Sequence, residues 1–503
     1  MPVQKSKPIQ KFSTKNETKF WRVNHYRLLT GFSVLLVLIL TMVIRHDQRR
    51  LHMPEPWSYA LAAQNFAQGN WTLTNDELAA ARTQVRLEGA RLTQYVEIEP
   101  GTWAFRQSPG FPLQLTPFAA VGLPRLANVA LAVLAALVLY PVLAAWHSER
   151  LAFLGVTLLL WTPMSLLALH YTNMDTFAGG IWPLIAGALL LGYERLDRGR
   201  VIRNPLTINR KQSVEIAQSQ NQQSSEHGTQ KTVNRGMQVA LPILFLAGFA
   251  AGWTIVVRIT SVLLLSVLIS YGLYLIWVKQ PQPIVRRRRG QKKQHRPLSL
   301  DRTAWQHLFA FALGGLLALG IMLTYNWLSF GSPFDNGYLY PSPYEAHNLW
   351  SEAPLTEVPG GVSTWLAGGT FLDIIATLFT HIRLWLRPAT LAWPLWPVAL
   401  FGLIYLLRRK PVVRSTWFIL LWLLAAYLPF AGVVFFGVTR ALAVPYDQGW
   451  GFFVPARYLY PFMLPFVWTI VAVLARWRSR WALALVGIYV VGSACLFLAT
   501  LQH

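Results

Sequence analysis

The chain has 503 residues, of which 54% are apolar and 13% charged, with a formal net charge of +24. The apolar residues gather in blocks of about twenty, the length that crosses roughly 30 Å of bilayer hydrocarbon, which excludes a soluble composition. The basic residues lie almost wholly in the gaps between blocks, so the charge reads as membrane topology and not as a nucleic-acid surface. A single cysteine, Cys495, sits inside an apolar block, excluding a disulfide framework, a CxxC metal site and thiol chemistry.

In chain order, residues 1–27 form a basic cytoplasmic leader and Leu28–Ile44 the first span. This block is too long for a signal-peptide core, and Arg45-His46-Asp47-Gln48-Arg49-Arg50 after it lacks a small-residue cleavage site, so the span is retained. Ten further spans are expected at Leu126–Trp146, Leu151–His170, Asp175–Tyr193, Gln238–Val257, Ile259–Val278, Trp305–Trp327, Leu391–Leu407, Thr416–Gly437, Tyr458–Leu474 and Trp481–Thr500. The fold class is an all-α polytopic membrane protein of about eleven transmembrane helices with extracytoplasmic loop helices. With the N-terminus inside, the cytoplasmic links receive Lys211, Arg286-Arg287-Arg288-Arg289, Lys292-Lys293, Arg408-Arg409-Lys410 and the RWRSR after Leu474. That excess of Lys and Arg fixes the orientation.

Two cytoplasmic stretches, 204–236 (rich in Gln, Ser and Asn) and 279–302 (rich in Arg, Lys, Gln and Pro), lack the apolar residues for a core and read as disordered linkers. The Arg quartet serves as a topology determinant, with anionic lipid as its other reading. The other side carries a first loop, 45–125, a second, 330–388, and a shorter one from Arg440 to Arg457. PWSYALAAQNFAQG and NDELAAARTQVRLEGARL in the first loop have helical pattern, and QSPGFPLQLTPFAAVG is expected to lie along the membrane surface.

Charged groups are costly at mid-bilayer, so those at span ends are informative. Glu55 opens the loop helix in MPEPWSYALAAQ, Asp175 follows the third span in HYTNMDTFAGG, Arg258 lies between the fifth and sixth in TIVVRITS, and Arg457 opens the tenth in PARYLYPF. All four fall on the extracytoplasmic face: two carboxylates and two guanidiniums at similar depth. Each has an alternative reading as an ion pair tying a loop to the bundle.

The order of these features resembles the GT-C superfamily of integral-membrane glycosyltransferases, which includes protein O-mannosyltransferases and the lipid A aminoarabinose transferase. The similarity runs through Pro54-Glu55-Pro56-Trp57-Ser58-Tyr59 with Ala60, Ala62-Ala63 and Gly69, through Ser108-Pro109-Gly110-Phe111-Pro112, and through Met174-Asp175. It continues in Gly248, Gly252 and Arg258, in Asn326 to Tyr338, and in Arg457 to Pro465. The chain departs from the family where it has Glu55 followed by Pro in place of Asp, which keeps Asp47 as a second candidate, and in its longer cytoplasmic linkers. The resemblance implies a GT-C-like transmembrane domain over 28–503 in the inner or plasma membrane. It also implies transfer of a sugar from a polyprenyl-phosphate donor to an extracytoplasmic lipid, glycan or protein acceptor, with membrane lipids as the other partners and no nucleic acid.

In that reading Glu55 is the catalytic base that takes the acceptor proton and Asp175 a second carboxylate orienting base or acceptor. Arg258 and Arg457 bind the donor phosphate, because a guanidinium stays charged and grips phosphate through two parallel hydrogen bonds. Asp47, Tyr59, His170, Asn173 and Tyr338 are further candidates for substrate contact. Trp57, Trp71, Trp103, Tyr171, Trp327, Tyr340 and Trp450 fit an ordinary aromatic belt better than a sugar platform. His170 and His381 are too isolated for a metal cluster, and no HExxH or Asp-x-Asp occurs, so metal-independent catalysis without a cofactor is expected. The alternatives are a lipid-linked glycan ligase or polymerase, a transporter or flippase, and a non-catalytic GT-C relative.

Overall fold

A computed structural model describes residues 15–43, 54–85, 94–124, 126–170, 175–203, 222–277, 302–340, 394–408, 413–433, 457–477 and 479–502. The described residues are predominantly helical. Among them, five helical stretches are long and apolar enough to cross a membrane: Leu126–Trp146, Asp175–Leu196, Val239–Val257, Arg302–Phe330 and Arg480–Leu498. They belong to helices α5 (Leu126–Trp146), α8 (Asp175–Arg203), α9 (Gln222–Val257), α11 (Arg302–Phe330) and α15 (Ser479–Gln502). Shorter apolar helices occupy the remaining blocks: α1 (Lys15–Val43, apolar over His25–Thr41), α10 (Val262–Trp277), α12 (Trp396–Arg408), α13 (Arg414–Val433) and α14 (Met463–Leu474).

Several expectations are corrected. The third expected span is two helices, α6 (Glu149–Leu160) and α7 (Pro163–His170). Pro163 has no amide proton to continue the α6 ladder, and Thr162 caps the new helix by accepting the Ser165 N–H at 2.9 Å. The leader is helical from Lys15, and the backbone of α9 is helical from Gln222, inside the stretch read as a linker. The rest of that linker, residues 278–301 and most of the second large loop lie outside the described residues.

The first loop is not all-α. Helix α2 (Pro54–Ala67) leads into a three-stranded antiparallel sheet of β1 (Thr72–Thr74), β2 (Tyr95–Glu99) and β3 (Thr102–Phe105), ordered β1-β3-β2, with α3 (Asn75–Val85) between the first two strands. Pro100-Gly101 turns the β2–β3 hairpin, and Gly101 takes a φ of +83° that disfavours any side chain. Helix α3 starts in a capping box: Glu77 N–H donates to Thr74 Oγ1 at 3.3 Å, while Thr74 N–H donates back to Glu77 Oε2 at 2.8 Å. Tyr325 of α11 fastens the sheet to the bundle through a 2.7 Å hydrogen bond from its hydroxyl to the Phe105 carbonyl.

Helix α8 is the axis of the bundle, with 83% of its spanning residues buried against 22% for α11. The rim of α11 is apolar nonetheless, with Phe309 and Trp327 67% and 64% exposed, the pattern of a lipid-facing helix. Lipid is as apolar as leucine, so burial between spans gains little and close approach of backbones must hold them together. Helices α9 and α11 run side by side on glycines: a Cβ on Gly248 would overlap the Phe311 carbonyl, and one on Gly252 would come within 2.8 Å of the Gly315 oxygen.

Candidate functional site

Asp175 is the first residue of α8, where its carboxylate complements the partial positive charge of the helix N-terminus. Arg258 follows the last residue of α9. Its backbone is extended (φ −150°, ψ 112°), and the break is satisfied: Arg258 N–H donates to the Thr254 carbonyl and its own carbonyl accepts from Ser261, each at 3.0 Å. An extended residue between two helical segments can send its side chain across to a neighbouring helix. Arg258 Nε lies 3.8 Å from Asp175 Oδ2, an ion pair whose side chains are 21% and 16% exposed. Both side chains are mostly sheltered from bulk water, with a part of each left exposed.

Glycines of α8 shape the pair. Gly179 lies one turn after Asp175, on the same face, and a Cβ there would stand 2.9 Å from Arg258 Cδ, so the arginine stem lies across a residue without a side chain. At Gly180 a Cβ would stand 2.5 Å from Tyr460 Cβ and 2.7 Å from its carbonyl carbon, so the 3-10 segment Arg457–Phe462 rests on α8 there. Phe177 meets Tyr460 edge to face at 5.4 Å. Arg457 precedes Tyr460 by one 3-10 turn, which brings its backbone to the same end of α8 as Asp175.

The fourth candidate, Glu55, enters through a relay of packed elements. It lies one helical turn before Tyr59 on α2. Tyr59 is buried, edge to face with Phe111 of α4 (Gly110–Ala120) at 5.3 Å and with Phe105 at 5.5 Å. Helix α4 begins hard against the end of α9, where a Cβ on Gly110 would fall 2.5 Å from the Val256 carbonyl carbon, two residues before Arg258. One face of α4 therefore packs on α2 and α9, burying Phe111 and Leu115. Gln114 of α4 reaches α8, accepting the Trp182 indole N–H at 3.0 Å.

The structure thus brings Asp175 and Arg258 into contact and the Arg457 segment beside them, with the α2 helix joined to them through α4. Tyr59 is a core residue. His170 is buried, its Nδ1 3.4 Å from the Thr41 carbonyl of α1 and its ring against Phe497 of α15 at 5.7 Å, so it serves helix packing. Asp47 and Asn173 lie outside the described residues, as do the side chains of Glu55, Arg457 and Tyr338. Gly179 and Gly180 were missed; two adjacent glycines one turn after an acidic helix start are the signal. Among the described residues no three of His, Cys, Asp and Glu gather in a metal-ligating group.

No family model matches the chain, and no curated protein does. Among solved structures it is similar to the crystal structure of the Archaeoglobus fulgidus oligosaccharyltransferase in the apo form, with 12% identity and a TM-score of 0.49. The similarity covers 95% of this chain and 56% of that one, so the chain spans little more than half its length.

Proposed function

We propose that the chain is a membrane glycosyltransferase that moves a sugar from a polyprenyl-phosphate donor to an extracytoplasmic acceptor at the Asp175–Arg258 site. The observation that carries the reading is the pairing of a carboxylate and a guanidinium at the mouth of the bundle, with a second arginine's segment resting on the same helix. The acceptor oxygen attacks the sugar's anomeric carbon, the bond from that carbon to the phosphate oxygen breaks, and the acceptor proton passes to a carboxylate. The donor phosphate is a diester with one negative charge; the departing polyprenyl phosphate is a monoester that gains a second. A guanidinium fixed beside it therefore stabilises the transition state more than the ground state.

In this mechanism Asp175 holds Arg258 in place, its stem laid across Gly179, and Arg457 supplies the second positive charge. Glu55 remains the base, since Asp175 already faces an arginine. The Lys and Arg excess at the opposite end of the bundle supports a site on the outer face of the inner or plasma membrane.

The test is transfer of label from a radiolabelled polyprenyl-phosphate sugar pool in membranes carrying the wild type or Glu55→Ala. Transfer by the wild type and a loss of roughly 10²- to 10⁴-fold in the variant are expected. Equal transfer by both would remove Glu55 from the mechanism.

A further inference from the structure

The end of the bundle opposite Asp175 carries arginines stacked on aromatic rings. Arg195 lies 5.8 Å from the Trp146 ring centroid, Arg414 5.4 Å from Tyr274, Arg476 4.8 Å from Tyr405 and Arg480 5.6 Å from Trp481. An aromatic and basic belt is ordinary at a membrane interface. Its last two members differ, because each immediately precedes in sequence a tryptophan of an open groove of about 640 Å³ lined by Trp477, Trp481, Ala484, Leu485 and Ile488. From Trp481 onward these residues follow one another by three, one and three along α15, a single apolar stripe leading away from the belt toward mid-bilayer, with Trp477 at its head.

We propose that this groove binds one anionic phospholipid, an acyl chain along the stripe from Trp477 to Ile488 and the phosphate between Arg476 and Arg480. Charge complementarity selects the occupant. Each arginine directly precedes a groove tryptophan, and the two are four residues apart at the end of α14 and the start of α15. Arg476 also donates to the Tyr405 hydroxyl, which fixes its plane, so the site is partly ordered before the lipid arrives. Arg195 adjoins no groove residue, and its Nε donates to the Ala145 carbonyl at 2.8 Å. The wall is as apolar as a lipid tail and the mouth doubly cationic, so headgroup charge is what the site discriminates.

The test uses the full-length protein in detergent, titrated with phosphatidylglycerol or phosphatidylcholine of identical acyl chains and followed by native mass spectrometry. The wild type should hold one phosphatidylglycerol about tenfold more tightly than phosphatidylcholine. Combined Arg476→Gln and Arg480→Gln should bring the two lipids level, and Ala484→Trp, which fills the groove, should weaken phosphatidylglycerol with both arginines intact. Changing Arg286, Arg287, Arg288 and Arg289 to Gln should leave the preference unchanged. Equal retention of both lipids by the wild type, or a preference that follows the Arg286–Arg289 quartet, would overturn the proposal. A monodisperse elution profile for each variant separates loss of the site from loss of the fold.

Discussion

At the scale of single residues the Asp175–Arg258 pair depends on the side chain that Gly179 lacks. Arg258 runs to Asp175 over Gly179, where a Cβ would stand only 2.9 Å from its Cδ. Gly179→Leu should therefore dislodge the guanidinium and lower transfer nearly as far as Arg258→Gln, while the protein stays in the membrane at normal level. A Gly179→Leu variant with full activity would show that the stem's path is incidental. The pairing was partly legible beforehand: charges are confined to span ends, and alternating topology puts Asp175 and Arg258 on one side. The seat was not, because a glycine in an apolar block carries no sign of what crosses it. The burial of Tyr59 and His170 was hidden for a related reason, since a polar tip on an apolar body looks the same in a site and in a core.

Among the elements, apolar helices were the readable part, five stretches among the described residues being long and apolar enough to cross a membrane, and the first loop was not. Blocks of twenty apolar residues announce themselves, whereas strands of three to five residues show too few alternations for a period-two signal, and α3 separates β1 from its partner. Glu99-Pro100-Gly101-Thr102 was the one local hairpin sign. Tyr95 offers a handle on this sheet: burial pushes its phenol well above the ordinary value near 10. As pH rises past about 10 the unfolded chain ionises this phenol while the folded loop resists, so folded-state stability should fall. Tyr95→Phe should flatten that alkaline loss, as followed by proteolysis of the loop. In the bundle, Gly248→Leu would force α9 off the Phe311 carbonyl and should destabilise by about 1–3 kcal/mol or more. Gly320→Leu, with open space beside it, is the control in a thermal melt in detergent.

For the whole molecule, α8 joins two chemically distinct ends. Asp175 opens it beside Arg258, and about twenty residues or 30 Å later Glu194 is fully buried, accepting a 2.5 Å hydrogen bond from the Tyr271 hydroxyl near the arginine–aromatic belt. Charge bias alone separates the ends in sequence, and labelling checks their sidedness. With Cys495 replaced by Ser, a cysteine at Gln68 should react with an impermeant maleimide in intact cells, and one at Arg408 only after permeabilisation. The reverse pattern would invert the orientation.

The most direct measurement of the central claim is transfer from a labelled polyprenyl-phosphate sugar by wild-type and Arg258→Gln protein at matched membrane levels. Transfer by the wild type and a loss of about 10²- to 10³-fold in the variant are expected, because the departing phosphate loses the guanidinium that Asp175 holds for it. Undiminished transfer in Arg258→Gln would contradict the claim.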